Sequence, residues 1–251
     1  MKRLIMELDK NIRYDKTSNL QGVLMENIDT VYANKLHEST MHPYSQHVEN
    51  INDKSYWIVN AVNKEAEQQI IDKLMNADFR EFCFKKDGKR VKIVNKEVQT
   101  LEERELLNQF YSNEVQRYIN LEFVSPTSFK RNGRYMIMPD VRLIFQNIMN
   151  KYSASSDSVS MLDTDALDQL EENCYIVNYR LRSVTFPMEK TKIPSFMGGI
   201  TIKVNGPETM VRYANMLTDF SEYSGIGIKT AVGMGAVRKR DWRKNNDRSG
   251  D

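Results

Sequence analysis

The chain has 251 residues, a net charge of +2, 40% hydrophobic and 28% charged side chains. That is enough chain for a substantial core in one large or two small domains, and with charge so balanced any polyanion site must come from segregated rather than excess charge. No run approaches the roughly 18 apolar residues of a membrane span, "MKRLIMELDKN" is too short an apolar run for a signal peptide, and Cys83 and Cys174 have no zinc or redox spacing, so a soluble, cytoplasmic protein with reduced thiols and no cofactor is expected.

"KRLIMEL" (2–8) reads as a strand, and Ser18 or Asn19 can cap a helix with Leu20, Val23, Leu24, Ile28 and Val31 on one face. "KLHESTMHPYSQHVE" follows as a helix end and loop. "SYWIVNAV" (55–62) reads as a strand, Asn63 caps a helix through Met75, and "FREFCFKKDGKRVKIV" gives two strands around an Asp87-Gly88 turn. The second half repeats this grammar. "RYINLEFVSPTSF" (117–129) and "RYMIMP" (134–139) read as strands, and Asp140 caps a helix showing Val141, Ile144, Phe145, Ile148 and Tyr152 on one side. After a serine-rich break (153–160) come a short helix near 163–172 and two long strands, "CYIVNYRLRSVTF" and "GGITIKV". Pro207 then opens a helix burying Met210, Val211, Ala214 and Leu217, and a last strand lies near "GAVRKR". Two α+β domains in tandem, ferredoxin-like (RRM-like), covering 1–115 and 116–251, explain this order better than a doubly wound parallel sheet.

Between that helix and the last strand lies "GIGIKTAVGMGAV" (225–237), with four of the chain's 11 glycines. A Walker A loop needs lysine directly after its last glycine, and here Ile228 separates Gly227 from Lys229. The dinucleotide pattern GxGxxG fails as well, with Thr230 and Arg238 where third glycines should be, and both motifs belong between a strand and a following helix. Such a segment can still let a backbone approach a ligand closely and present amides to anionic oxygens, with Lys229 adding charge. It can equally be a turn that only packs.

All three histidines, His37, His42 and His47, fall within eleven residues. Their five-residue intervals match no common metal-ligand spacing. Two readings stay open, incidental residues of a solvated loop and general acid-base chemistry, since imidazole moves protons near neutral pH without a metal.

Taken together, "LQGVLMENI", "LHE", "SPTSFKRNGRYMIMPDVRLIFQNIM", "NYRL", "KIPSF" and "FSEYSGIGIKTAVGMGAV" resemble the CRISPR repeat-processing endoribonucleases of the RAMP superfamily, most of all those accompanying subtype III-A (Csm) systems. The resemblance spans essentially the full length. It implies two facing ferredoxin-like domains with RNA between them, and metal-independent cleavage of precursor CRISPR RNA within its repeats, leaving a 2',3'-cyclic phosphate and a 5'-hydroxyl. The rival is a catalytically silent crRNA-binding subunit of an effector complex. The family's catalytic histidine maps onto His37. Where many relatives have a catalytic tyrosine and a lysine, this chain has Met25 and a region offering His42, Tyr44, Ser45 and His47, so the partner of His37 stays open among them.

For RNA binding the resemblance favours Lys130, Arg131, Arg134 and Arg142, with Phe129 and Tyr135 able to stack on bases, and the loop residues Gly225, Gly227, Lys229, Thr230, Gly233 and Gly235. The basic hairpin 85–92 and the tail with Arg238, Lys239, Arg240, Arg243 and Lys244 are weaker candidates. The expected partners are the repeat RNA, single-stranded or weakly folded, and a Csm complex to which the product is handed over. The protein itself is expected to be a monomer or homodimer.

Overall fold

The computed structural model describes residues 1–111, 116–155, 163–188 and 191–240. The first half contains β1 (Lys2–Leu8), α1 (Thr17–Glu26), α2 (Thr30–Glu38), β2 (Tyr44–Ile51) and β3 (Lys54–Ala61). It continues with a helical run, α3 (Lys64–Ala66), a π-helical turn (Glu67–Ile71) and α4 (Asp72–Met75), then β4 (Glu81–Cys83) and β5 (Arg90–Thr100). The antiparallel sheet has the order β2-β3-β1-β5-β4. Alternation along β1 buries Leu4, Met6 and Leu8 against the helices and leaves Arg3, Ile5 and Glu7 on the opposite face. Trp57 of β3 lies in the same core with Leu20 and Leu24 of α1.

After α5 (Glu103–Phe110) the second half runs through β6 (Tyr118–Thr127), a hairpin of β7 (Phe129–Arg131) and β8 (Arg134–Met136), α6 (Val141–Ser155) and α7 (Thr164–Asn173). β9 (Cys174–Met188), β10 (Thr191–Val204), α8 (Glu208–Ser224), a 3-10 turn (Thr230–Val232) and β11 (Val237–Arg240) complete it. The second sheet is β11-β6-β10-β9, again antiparallel. In each half the first strand lies between the third and the last, and the second lies outside the third, which is the ferredoxin-like arrangement. Tandem ferredoxin-like halves are therefore the fold.

Four local expectations change. Neither Ser18 nor Asn19 caps the first helix, because α1 begins at Thr17 and has no side-chain cap bond. The first helix does not run through Val31: Asp29 breaks it and caps α2, its Oδ1 accepting from the amides of Val31 at 2.9 Å and Tyr32 at 3.2 Å, and Val31 is exposed. The segment from Tyr44 to Ile51 is a strand, not a loop. "RYMIMP" forms only the short β8, paired with β7 instead of joining the main sheet. Asn63 and Asp140 do cap, accepting from the amides of Ala66 and Leu143 at 2.9 Å each, and Gly88 takes a φ of +65° in the expected turn. Arg243 and Lys244 lie outside the described residues. Among those described, no helix is long and apolar enough to cross a membrane.

The halves meet along β2. Ser45 Oγ donates to the carbonyl of Tyr223 at 2.6 Å, Gln46 Nε2 to that of Ala231 at 2.8 Å, and Arg3 Nη2 to that of Glu222 at 2.7 Å. Buried polar side chains thus find their partners in the other half.

Candidate nucleic-acid processing site

The site begins at the end of α2. Leu36 packs into the first core, which turns the next residue, His37, out to solvent. The chain then enters β2 through His42, partly buried, whose ring meets that of Tyr44 edge-on at 5.7 Å.

The second half brings its glycine loop to the same place. Lys229 is exposed and left-handed, at φ +59°, between glycines at φ +89° (Gly227) and +115° (Gly233). From α6, Lys151 Nζ donates to the carbonyls of Ser224 (3.1 Å) and Gly225 (2.9 Å) and to Thr230 Oγ1 (3.2 Å). Burial lowers the pKa of His42, and the positive charges of Lys229, His37 and Lys151 lower it further. Burial also draws the Lys151 ammonium down to about 7. His37, His42 and Lys229 form no ion pair with a carboxylate among the described residues. Cations gathered from both halves without an acidic partner make a place where an anion is favoured.

The other proposed catalytic residues lie elsewhere. Tyr44 is 1% exposed in the first core, where burial pushes its hydroxyl pKa up, so the expectation of a substrate-facing hydroxyl is not met. His47 is buried on the face of the first sheet away from its helices. Its Nε2 is 3.0 Å from Glu49 Oε1, and Arg238 Nη2 of β11 donates to Glu49 Oε2 at 2.5 Å. Burial works against the Glu49 charge, yet the bonds and charges of His47 and Arg238 hold its pKa at about 2. This triad joins the two sheets and does not share the site of His37.

The glycines are also corrected. All four are buried and their amides are spent inside the protein: Gly225 to the carbonyl of Ser221 (2.8 Å), Gly227 to Asn147 Oδ1 (2.7 Å), Gly233 to that of Thr230 (3.4 Å) and Gly235 to that of Pro126 (3.0 Å). Close packing requires them, because a Cβ would lie 2.5 Å from Ser128 O at Gly227, 2.2 Å from Thr17 Oγ1 at Gly233 and 2.1 Å from Ile226 O at Gly235. Thr230 is likewise buried. The loop shapes itself tightly and leaves Lys229 outside.

Of the mid-chain cations, Lys130, Arg131 and Arg134 are exposed on the β7–β8 hairpin beside Tyr135. That hairpin adjoins the loop, since the Ile228 amide donates to the Ser128 carbonyl at 3.0 Å. Arg142 instead pairs with Asp168 and Glu171 of α7, so its charge is engaged within the protein. In the basic hairpin, Lys85 pairs with Glu26 and Arg90 with Glu81.

Sequence reasoning missed Lys151 and Asn147, which read only as polar positions of an amphipathic helix. It also missed a groove of about 640 Å³ on the open face of the second sheet, lined by Asn178, Arg180, Arg182, Gly199 and Arg240. The signal was available in the two-residue spacing of Asn178, Arg180 and Arg182, which puts one face of β9 beside a glycine pair.

Two ferredoxin-like halves thus bring exposed cations and histidines together in one place. The family model for the CRISPR-associated endoribonuclease Cas6 matches residues 121–237. The chain is 34% identical over 240 residues to the CRISPR-associated endoribonuclease Cas6 of Streptococcus thermophilus, covering 95% of this chain and 98% of that protein. It is 32% identical over 221 residues to the Mycobacterium tuberculosis Cas6, covering 88% and 70%. Among solved structures, a Cas6 product complex matches with a TM-score of 0.79 at 18% identity, over 96% of this chain and all of that one. An RAMP protein binding different RNA substrates matches with a TM-score of 0.61 at 12% identity, over 96% and 100%. These structural likenesses speak to the fold, and the sequence relatives to the family: the chain belongs to the CRISPR-associated endoribonuclease Cas6 family.

Proposed function

We propose that the chain, as an N-terminal domain (1–115) bearing His37 and a C-terminal domain (116–251) bearing the glycine loop, cuts precursor CRISPR RNA within its repeats in the cytoplasm. The RNA 2'-hydroxyl is the nucleophile, already held beside its phosphate. His37 acts as general base on that proton, or as general acid toward the leaving 5'-oxygen, Lys229 faces the charge that builds on the phosphorane, and His42 takes the complementary proton-transfer role. The products are a 2',3'-cyclic phosphate and a 5'-hydroxyl, with no water consumed.

The observation that carries this reading is that the second half's loop bearing Lys229, held by the Lys151 bonds of 2.9–3.2 Å, comes to the place where His42 and His37 of the first half stand. RNA would approach over the β7–β8 hairpin through Lys130, Arg131 and Arg134, with the arginine-lined groove of the second sheet as a further phosphate track. Hand-over of the product to a type III-A Csm complex rests on the sequence resemblance alone, and co-purification with such a complex would test it.

The primary test is incubation with repeat RNA in EDTA, followed by end-group analysis. Cyclic phosphate and 5'-hydroxyl ends are expected, and a 2'-deoxy substitution at the scissile nucleotide should abolish cutting. Cleavage of the 2'-deoxy substrate would overturn the route. His37→Ala should lower the rate by at least about tenfold, the low end of general acid-base contributions, with repeat affinity kept.

A further inference from the structure

Lys151 has no evident reason to be where it is. A lysine ammonium is costly to remove from water, and three neutral oxygens could be satisfied by uncharged donors. Its three bonds have a telling distribution: Ser224 and Gly225 precede Lys229 in the chain, and Thr230 follows it. One helical turn earlier, Asn147 takes the amide of Gly227 at 2.7 Å. One face of α6 therefore grips the loop on both sides of Lys229, a non-glycine residue held at φ +59°. Left-handed backbone is disfavoured for such a residue and persists when its surroundings over-determine it.

Resting on the proposed cleavage site, we propose that Lys151 and Asn147 are positioning residues for the reaction: they clamp the glycine loop so that Lys229 is presented toward His42 and His37. Neither need touch RNA. Without Lys151 the loop keeps its glycine packing, but Lys229 loses its fixed direction, and loose placement of one group can cost about a hundredfold in rate.

The experiment measures single-turnover cleavage and affinity for a 2'-deoxy repeat RNA in Lys151→Met, Asn147→Ala, Lys229→Ala and the Lys151→Met/Lys229→Ala double variant. Lys151→Met should lower the saturated rate at least about tenfold, within the range seen for misplacement, while affinity changes less than about threefold. The double variant should cut no more slowly than Lys229→Ala alone, because both changes remove one function. Asn147→Ala should show a smaller loss in the same direction. A folded Lys151→Met with an unchanged rate, or losses that multiply in the double variant, would overturn the proposal. If Lys151→Met does not fold, Asn147→Ala decides, and its wild-type rate would equally overturn it. Failure here with His37→Ala still inactive sinks only the clamp, whereas normal cutting by His37→Ala sinks the site.

Discussion

His42 and His47 are five residues apart and lead opposite lives. His42, just before β2, is surrounded by the positive charges of Lys229, His37 and Lys151. His47, inside β2, is bonded to a carboxylate that also holds Arg238. The first environment is a charge imbalance that an RNA phosphate would relieve, and the second is already neutralised within the protein. The contrast teaches that the histidine-rich segment serves two environments: one cationic, where the proposed reaction would take place, the other fastening the two sheets together.

The sharpest way to break this contrast is to remove each imidazole. His42→Ala should lower the saturated cleavage rate by about 10–100-fold, as expected of a proton-transfer group, with little change in thermal stability. Loss of stability with an unchanged rate would move His42 to the structural class.

The Glu49 triad should answer in the opposite way. Glu49→Gln should destabilise the protein by about 2 kcal/mol, less than for a fully buried pair because Arg238 is half exposed, with cleavage nearly intact. The sign with pH follows from the depressed pKa. The Glu49 contribution is fully present above its ordinary value near 4.5 and fades as pH falls toward about 2. Denaturant unfolding of wild type and Glu49→Gln should therefore converge as the medium becomes acidic, and a constant gap would refute the triad's role.

The smallest effect is a titration. In the free protein His42 should titrate below the ordinary histidine value of 6.5, by burial and by its cationic neighbours. Its contribution to stability is then complete above that value and declines as pH drops below it. Binding of a 2'-deoxy repeat RNA should raise the His42 pKa by adding negative charge, which histidine-selective NMR would follow. No rise on binding would place the phosphate elsewhere.

Much of this was legible without coordinates. The strand-helix grammar repeated twice, the Asn63 and Asp140 caps and the Asp87-Gly88 turn all rest on local rules, and local rules were enough. β2 was not legible because "YSQHVENI" lacks an apolar alternation. Tyr44 to Val48 are all buried, and two of their polar members bond carbonyls of the other half, Ser45 to Tyr223 and Gln46 to Ala231. A strand whose second face is covered by a distant part of the chain carries no periodic signature of its own. The same blindness hid Lys151, whose acceptors lie more than 70 residues away.

The sequence by itself determined the pair of ferredoxin-like halves and the mismatch of the glycine segment to the common nucleotide motifs, because propensity, capping and motif spacing are local, and its resemblance to known relatives gave the family. Only the tertiary structure decided which histidine lies within electrostatic reach of Lys229, and that the glycines pack while Lys229 faces out. Those outcomes depend on contacts between the halves, and side-chain direction across such an interface is set by register and burial rather than by neighbours in the chain.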